Sequence, residues 1–286
     1  MTNLIDGKLV SGNVLALVKE EVTELNNKSI QPKLVVILVG ENPASLSYIR
    51  QKRKACETTG IIWEQFDYEK TTTEELIEKV EELNNQDDVH GILVQLPLPE
   101  NIYAPKVIKA IDPKKDVDGF HAYNLGKMFI DKEFENLVPC TPMGVIKMME
   151  HYKVDPKGKE VVMVGHSNIV GKPMSIMLLN RNATVTTCHI DTKDLAFHTK
   201  RADILIVAVG KPNLITEEMV KEGVVVFDVG INRLDSGKLV GDVDFENVSK
   251  KAAFITPVPG GCGPMTVACL MENTIKACKG LQPRLS

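Results

Sequence analysis

Tyr48 and Lys52 lie four residues apart in the stretch "SYIRQKRKA". On a helix this spacing puts a phenol and an amine on one face. An amine so placed can carry protons for a reacting group once its surroundings ease its deprotonation. A basic, solvated helix face is the alternative, since lysines mostly stay in water. Gln95 is the only polar side chain in the apolar run "GILVQLPLP". A buried amide without a partner costs about 1 to 3 kcal/mol, so Gln95 must be hydrogen-bonded, to backbone or to a neighbouring side chain. In "KDVDGFH", Asp118 can accept hydrogen bonds from a ligand or simply belong to an Asp-Gly turn, which is also the reading of Asp116.

A second group of residues is built for a nucleotide. In "VVMVGHSNIVGKP" an apolar strand runs into Gly165, His166, Ser167, Val170 and Gly171 and then a helix start, an arrangement that can aim backbone N–H groups at a pyrophosphate. The loop is not G-x-G-x-x-G, because Ser167 takes the third position, and a turn that needs glycines for geometry alone fits it equally well. Asp191 stands 20 residues beyond Gly171, just past the next apolar stretch. A carboxylate there either binds the adenosine ribose, which favours NAD over its 2'-phosphorylated relative, or belongs to a solvated turn. The six cysteines include no C-x-x-C pair and no histidine at zinc-ligand spacing. Reduced, buried thiols and no metal site are expected.

Strand-like and helix-like segments alternate to position these groups. "KLVVILVG" is a continuous apolar run typical of a strand buried on both faces. Asn42 and Pro43 then cap and open a helix that Gly60 can end. "IIWEQFDY" is a second strand, and "VHGILVQLPLP" a third, which prolines stop. Between them "TTTEELIEKVEELNN" is a helix with Thr72 and Glu75 at capping-box spacing and Leu76, Val80 and Leu83 on one stripe. Prolines 139 and 142 mark the entrance to a second series, with strands in "EVVMVG", "ATVTTCH", "ADILIVAVG", "GVVVFDVGIN" and "AAFITPVPGG", and "TVACLMENTIKACKG" is a last helix. Repeated β-α-β of this kind predicts an α/β chain of two domains with mainly parallel sheets, binding ligands at the strands' carboxyl ends. The expected division is 1–138 with the C-terminal helix 266–286, and 139–265 as a Rossmann-like domain.

At 286 residues the chain has ample core for two domains or one large α/β domain. Its net charge of -4 supplies no general field to draw in nucleic acid or an anionic membrane. No apolar run approaches the ~20 residues of a membrane span, and the N-terminus lacks signal-peptide order, so a cytoplasmic protein is expected.

Five stretches, "SYIRQKRKA", "GILVQLPLP", "KDVDGFH", "GHSNIVGKPMSIMLL" and "ITPVPGGCGPMT", closely resemble in wording and order the bifunctional methylenetetrahydrofolate dehydrogenase/methenyltetrahydrofolate cyclohydrolase family. The resemblance spans essentially the whole chain. It implies a folate-binding catalytic domain, an NAD(P)-binding domain and a cleft between them. It also implies two reactions of one-carbon metabolism, the route to purine biosynthesis: oxidation of 5,10-methylenetetrahydrofolate by a nicotinamide cofactor, then hydrolysis of the methenyl cation to 10-formyltetrahydrofolate. By resemblance Lys52 is the general acid/base of the hydrolysis, Tyr48 lines the folate site, Gln95 orients the amine and Asp118 binds the pterin. Gly261, Gly263 and Pro264 lie near the substrate, and Gly165, His166, Ser167, Val170, Gly171, Ile190, Asp191 and Ile231 are at the cofactor. Cys262 stands where many relatives carry valine, and with no activating partner in its motif it is not expected to be a catalytic thiol.

NADP-using members of that family often carry arginine and serine where this chain has His166 and Ile190. Neutral histidine is a poor substitute for a fixed guanidinium and isoleucine donates nothing, so NADP and NAD are near-equal expectations, with Lys172 or Lys193 as replacement phosphate ligands. A homodimer is implied. The rivals are a two-domain α/β dehydrogenase of a non-folate substrate and a nucleotide-binding regulator that has lost catalysis; the presence of Tyr48, Lys52, Gln95 and Asp118 argues against the latter.

Overall fold

The computed structural model describes residues 3–281 and divides them into two compact units. One comprises residues up to Ser11, Met128–Lys132 and Thr141–Thr266; the other comprises Gly12–Lys127, Glu133–Cys140 and the chain from Val267.

The chain opens with β1 (Asn3–Leu4) and α1 (Gly7–Asn27). Asp6 starts this helix, its carboxylate accepting from the backbone N–H groups of Lys8 and Leu9. There follow β2 (Lys33–Val39), α2 (Pro43–Thr59), β3 (Ile62–Tyr68), α3 (Thr73–Asn84) and β4 (Gly91–Val94). The three strands form a parallel sheet in the order β3-β2-β4. Central β2 is apolar and buried from Leu34 to Val39, as burial on both faces requires. Asn42 caps α2 by accepting from Ser45 N at 3.3 Å, and the Thr72–Glu75 capping box opens α3, an arrangement worth about 1 kcal/mol. Leu76, Val80 and Leu83 of α3 bury against Val35, Ile37 and Val39. Helices α4 (Ala104–Ala110), α5 (Ala122–Ile130) and α6 (Cys140–His151) lead onward.

The second series is β5 (Glu160–Val164), α7 (Gly171–Leu179), β6 (Thr184–Cys188), α8 (Leu195–Thr199), β7 (Ile204–Val207) and β8 (Val225–Asp228). A hairpin, β9 (Asn232–Arg233) and β10 (Leu239–Val240), then α9 (Phe245–Val248), β11 (Phe254–Ile255) and α10 (Cys262–Leu281) complete it. The sheet is parallel in the order β1-β11-β8-β7-β5-β6. The chain steps from β5 outward to β6 and then back across to β7, so the switch point lies between β5 and β7, where open α/β sheets take their ligands.

Several elements differ from the sequence reading. The chain's first residues pair with β11 and so extend this second sheet, which draws residues up to Ser11 into its unit although the division by prolines kept 1–138 together. The run "AAFITPVPGG" yields only the two-residue β11, because Pro257 and Pro259 have no N–H to continue a ladder. "GVVVFDVGIN" breaks after Asp228, and its last residues join a separate hairpin. The last helix starts at Cys262, so Gly263 and Pro264 are its first turn. Among the described residues no helix is long and apolar enough to cross a membrane.

Candidate functional site

Tyr48 and Lys52 sit one turn apart on α2. Lys52 is no solvated surface lysine: it is 6% exposed, and its Nζ donates to Gln95 Oε1 at 2.9 Å. Gln95 is the first residue past β4 rather than inside it, with its N–H still bonded to Ile37 O. Its own Nε2 donates to Leu96 O at 2.6 Å, which fixes the amide with its oxygen toward the amine. The lone polar residue of the apolar run is thus satisfied on both sides, and it holds a buried ammonium without adding a charge.

Asp118 lies in the same unit, in a loop tied from two directions. Asp116, nearly fully buried, accepts from the N–H groups of Gly119, Phe120 and His121 and from Asn124 Nδ2. Asp116 is therefore the carboxylate that closes the turn. Asn273 of α10 donates from Nδ2 to Val117 O at 2.9 Å and Val138 O at 3.0 Å, pinning the residue before Asp118. The Asp118 residue as a whole is half-buried, but its carboxyl is desolvated. Desolvation pushes its pKa up to about 6 against the pull of the Lys52 ammonium, and the Asp116 charge adds to the rise. Near neutral pH this group is an acceptor for paired N–H donors.

In the other unit, Gly165 follows β5 and Gly171 opens α7. Ser167 Oγ accepts from Val170 N at 3.1 Å and Gly171 N at 3.4 Å, so the hydroxyl caps the helix from within the loop. A Cβ at Gly171 would overlap Gly165 O and His166 Cα: strand end and helix start touch backbone to backbone. His166, Ser167, Asn168 and Ile169 are left on the exposed rim. This cradle fits a dinucleotide, whose phosphates need backbone approach and a helix N-terminus. Gly171→Ala is expected to cost about 1 to 3 kcal/mol by overpacking, read as a lower melting temperature together with weakened dinucleotide binding; an unchanged transition would contradict the contact.

The rim carries imidazoles where a phosphate reader would hold guanidinium. The rings of His166 and His189 lie 5.0 Å apart, and His189 Nδ1 is 3.8 Å from Asp191 Oδ2. Ile190 is 92% exposed and points no donor at a ligand. Lys172 donates to Asn168 Oδ1 at 2.7 Å, which engages one of the two candidate phosphate lysines; Lys193 is exposed. Gly261, Gly263 and Pro264 surround the start of α10, and Ile231 lies between β8 and β9. All six cysteines are free and buried. Burial raises the Cys262 thiol far out of the thiolate range, and the Asp228 charge adds to this.

Two buried carboxylates, Asp228 and Asp242, were not singled out by the sequence reading, nor was Asn273. A charged residue ending an apolar strand, as in "VVVFD", is a signal for Asp228 alone. Among the described residues, no three His, Cys, Asp or Glu side chains gather as a metal site would require.

Comparison with known proteins agrees with this geometry. Residues 5–118 match the catalytic domain of tetrahydrofolate dehydrogenase/cyclohydrolase, and residues 139–282 match its NAD(P)-binding domain. The chain is 56% identical over 277 residues to the bifunctional protein FolD of Nautilia profundicola, covering 96% of this chain and 97% of that one. The crystal structure of the bifunctional enzyme FolD from Campylobacter jejuni superposes with a TM-score of 0.95 at 52% identity, covering 98% and 99% of the two chains. The Trypanosoma brucei FolD structure, a complex with NADP cofactor and inhibitor, superposes with a TM-score of 0.94 at 36% identity, with 98% of each chain covered. With both domain models matched in order along one chain, this protein belongs to the tetrahydrofolate dehydrogenase/cyclohydrolase family.

Proposed function

We propose that this chain oxidises 5,10-methylenetetrahydrofolate to 5,10-methenyltetrahydrofolate with a nicotinamide dinucleotide and then hydrolyses the product to 10-formyltetrahydrofolate. The observation that carries this reading is the buried Lys52–Gln95 pair, with Asp118 electrostatically coupled to the same ammonium. When bound, the nicotinamide supplies the hydride acceptor. Asp118 accepts two hydrogen bonds from the amino-pyrimidinone edge of the pterin and so decides which face of the folate is presented. Tyr48, on the Lys52 face of α2, lines the folate site.

Hydrolysis needs a proton taken from the water that attacks the methenyl carbon, and a proton given to the ring nitrogen as the carbon–nitrogen bond breaks. Lys52, as general base, takes the first and, as general acid, returns it as the second, while one proton leaves from the carbinol hydroxyl. Gln95 holds the Lys52 Nζ on line with its fixed oxygen.

NADP is the proposed cofactor, in keeping with the trypanosomal complex. His166, Ile190 and Asp191 offer little to a 2'-phosphate, and NAD remains a close competitor. Steady-state oxidation of 5,10-methylenetetrahydrofolate with both dinucleotides titrated in parallel tests the whole reading. Turnover with a clear preference for NADP would make Lys193 the first candidate ligand of the 2'-phosphate. Preference for NAD would identify His166, Ile190 and Asp191 as the selecting residues, and no turnover with either would sink the dehydrogenase assignment in favour of a non-folate substrate. The proposed state is a cytoplasmic homodimer, which sedimentation of the purified protein checks.

A further inference from the structure

Asp228 and Asp242 lie outside the Lys52–Gln95–Asp118 group, yet they stand at the carboxyl ends of β7 and β8, the sheet edge that receives ligands. Asp242 is 0% exposed. Its Oδ2 accepts from Val209 N at 2.7 Å and Gly210 N at 3.0 Å, and its Oδ1 from Lys211 N at 2.9 Å and Asn232 Nδ2 at 2.8 Å. Three successive backbone N–H groups converging on one anion make a nest, the concavity that commonly takes a phosphate. Here the chain's own carboxylate fills it. Asp228 accepts in turn from Gly230 N, Asp242 N and Val243 N, and so holds the backbone of Asp242 itself.

Two glycines make this arrangement possible, and they are crossed. A Cβ at Gly230, two residues after Asp228, would overlap the Asp242 carboxylate, and a Cβ at Gly241, the residue before Asp242, would overlap Asp228 Oδ2. Each carboxylate therefore lies over the glycine of the other's segment. Desolvation pushes the Asp228 carboxyl up to about 7 against the pull of the backbone N–H groups, and the Asp242 charge pushes the same way. Placing two carboxyl groups so close in a buried site is costly, which a loop needing only a stable turn would not require.

We propose that Asp242, braced by Asp228, is a positioning residue for the nicotinamide half of the dinucleotide. The inference rests on the nucleotide-site reading given above. With the pyrophosphate at the β5–α7 loop and the adenosine ribose at the end of β6, the second nucleotide falls across the switch point, at the ends of β7 and β8. Asp242 fixes both loops there: residues 209–211 through the nest, and the loop that carries Ile231 through Asn232. An asparagine at 242 brings one acceptor oxygen where four donors need two.

Asp242→Asn is the test, read by two measurements. Equilibrium binding of NADPH and NADH, followed by their fluorescence, is expected to weaken about tenfold through the lost charge-assisted bonds. Hydrolysis of 5,10-methenyltetrahydrofolate, which needs no dinucleotide and uses Lys52 and Gln95 of the other unit, is expected to stay within about twofold. Asn232→Ala removes a single donor and gives a smaller loss of dinucleotide affinity, about threefold, which keeps the test open should the first variant not fold. Unchanged dinucleotide affinity would overturn the proposal, as would a parallel loss of hydrolysis and binding, the mark of a merely structural role. Wild-type protein that binds neither dinucleotide would overturn the nucleotide-site reading and the proposal with it.

Discussion

Lys52→Met is expected to abolish hydrolysis of 5,10-methenyltetrahydrofolate, a loss of about 10²- to 10⁴-fold in kcat, the contribution usual for a positioned acid/base. Methionine keeps the unbranched stem in the buried slot, so packing changes little and folate binding should survive. The oxidation step, which requires no proton at that position, should fall far less. Gln95 Oε1 loses its donor in this variant, a cost of about 1 to 3 kcal/mol in stability that a thermal scan would register. The discriminating measurement is the ratio of the two activities on one preparation: hydrolysis at the wild-type rate would remove Lys52 from its role, whereas an equal loss of both would point to a collapsed site.

Asp118→Ala should affect both reactions, since both need the pterin seated. Two charge-assisted hydrogen bonds at about 1.5 to 3 kcal/mol each predict a fall of roughly 10²-fold or more in kcat/KM. The pH dependence supplies an independent check. With its pKa at about 6, the Asp118 carboxyl gains a proton as pH falls through that value and loses acceptor capacity. KM for the folate should therefore be flat above the inflection and climb below it, and the inflection should vanish in Asp118→Ala. Because the Lys52 ammonium holds this pKa down, Lys52→Met should move the inflection to higher pH. An inflection that stays in place would mean that the two groups do not sense each other, and the coupling drawn between them would be wrong.

The two variants probe a site that was only partly legible in the chain. The helix over Tyr48 and Lys52 was readable from Asn42, Pro43 and Gly60, their shared face from spacing, and Gln95 from being one amide in an apolar run. To whom Gln95 would offer its amide oxygen depended on a residue 43 positions earlier. Asp116 and Asp118 read alike as turn formers; burial and four donors assigned the turn to Asp116. Asn273 sits within an ordinary helical pattern, and only packing shows its amide spanning two distant carbonyls.

By itself, the sequence determined the local physics: apolar runs that must be strands, caps and prolines that start and stop helices, a glycine loop, and the absence of a metal-ligand pattern. These depend on neighbours within a few residues, and they carried the α/β class; roles for Lys52, Gln95 and Asp118 came only with the resemblance of whole stretches to a known family. Tertiary structure decided what depends on distant partners. Two-residue strands such as β1 and β11 are too short for any alternation and exist only because a parallel neighbour supplies their hydrogen bonds. The same holds for Asp228 and Asp242, 14 residues apart, where one carboxylate fills a backbone nest and the other holds the first one's main chain in place. A buried charge is permitted only when its donors are all present, and those donors come from loops that folding alone brings together.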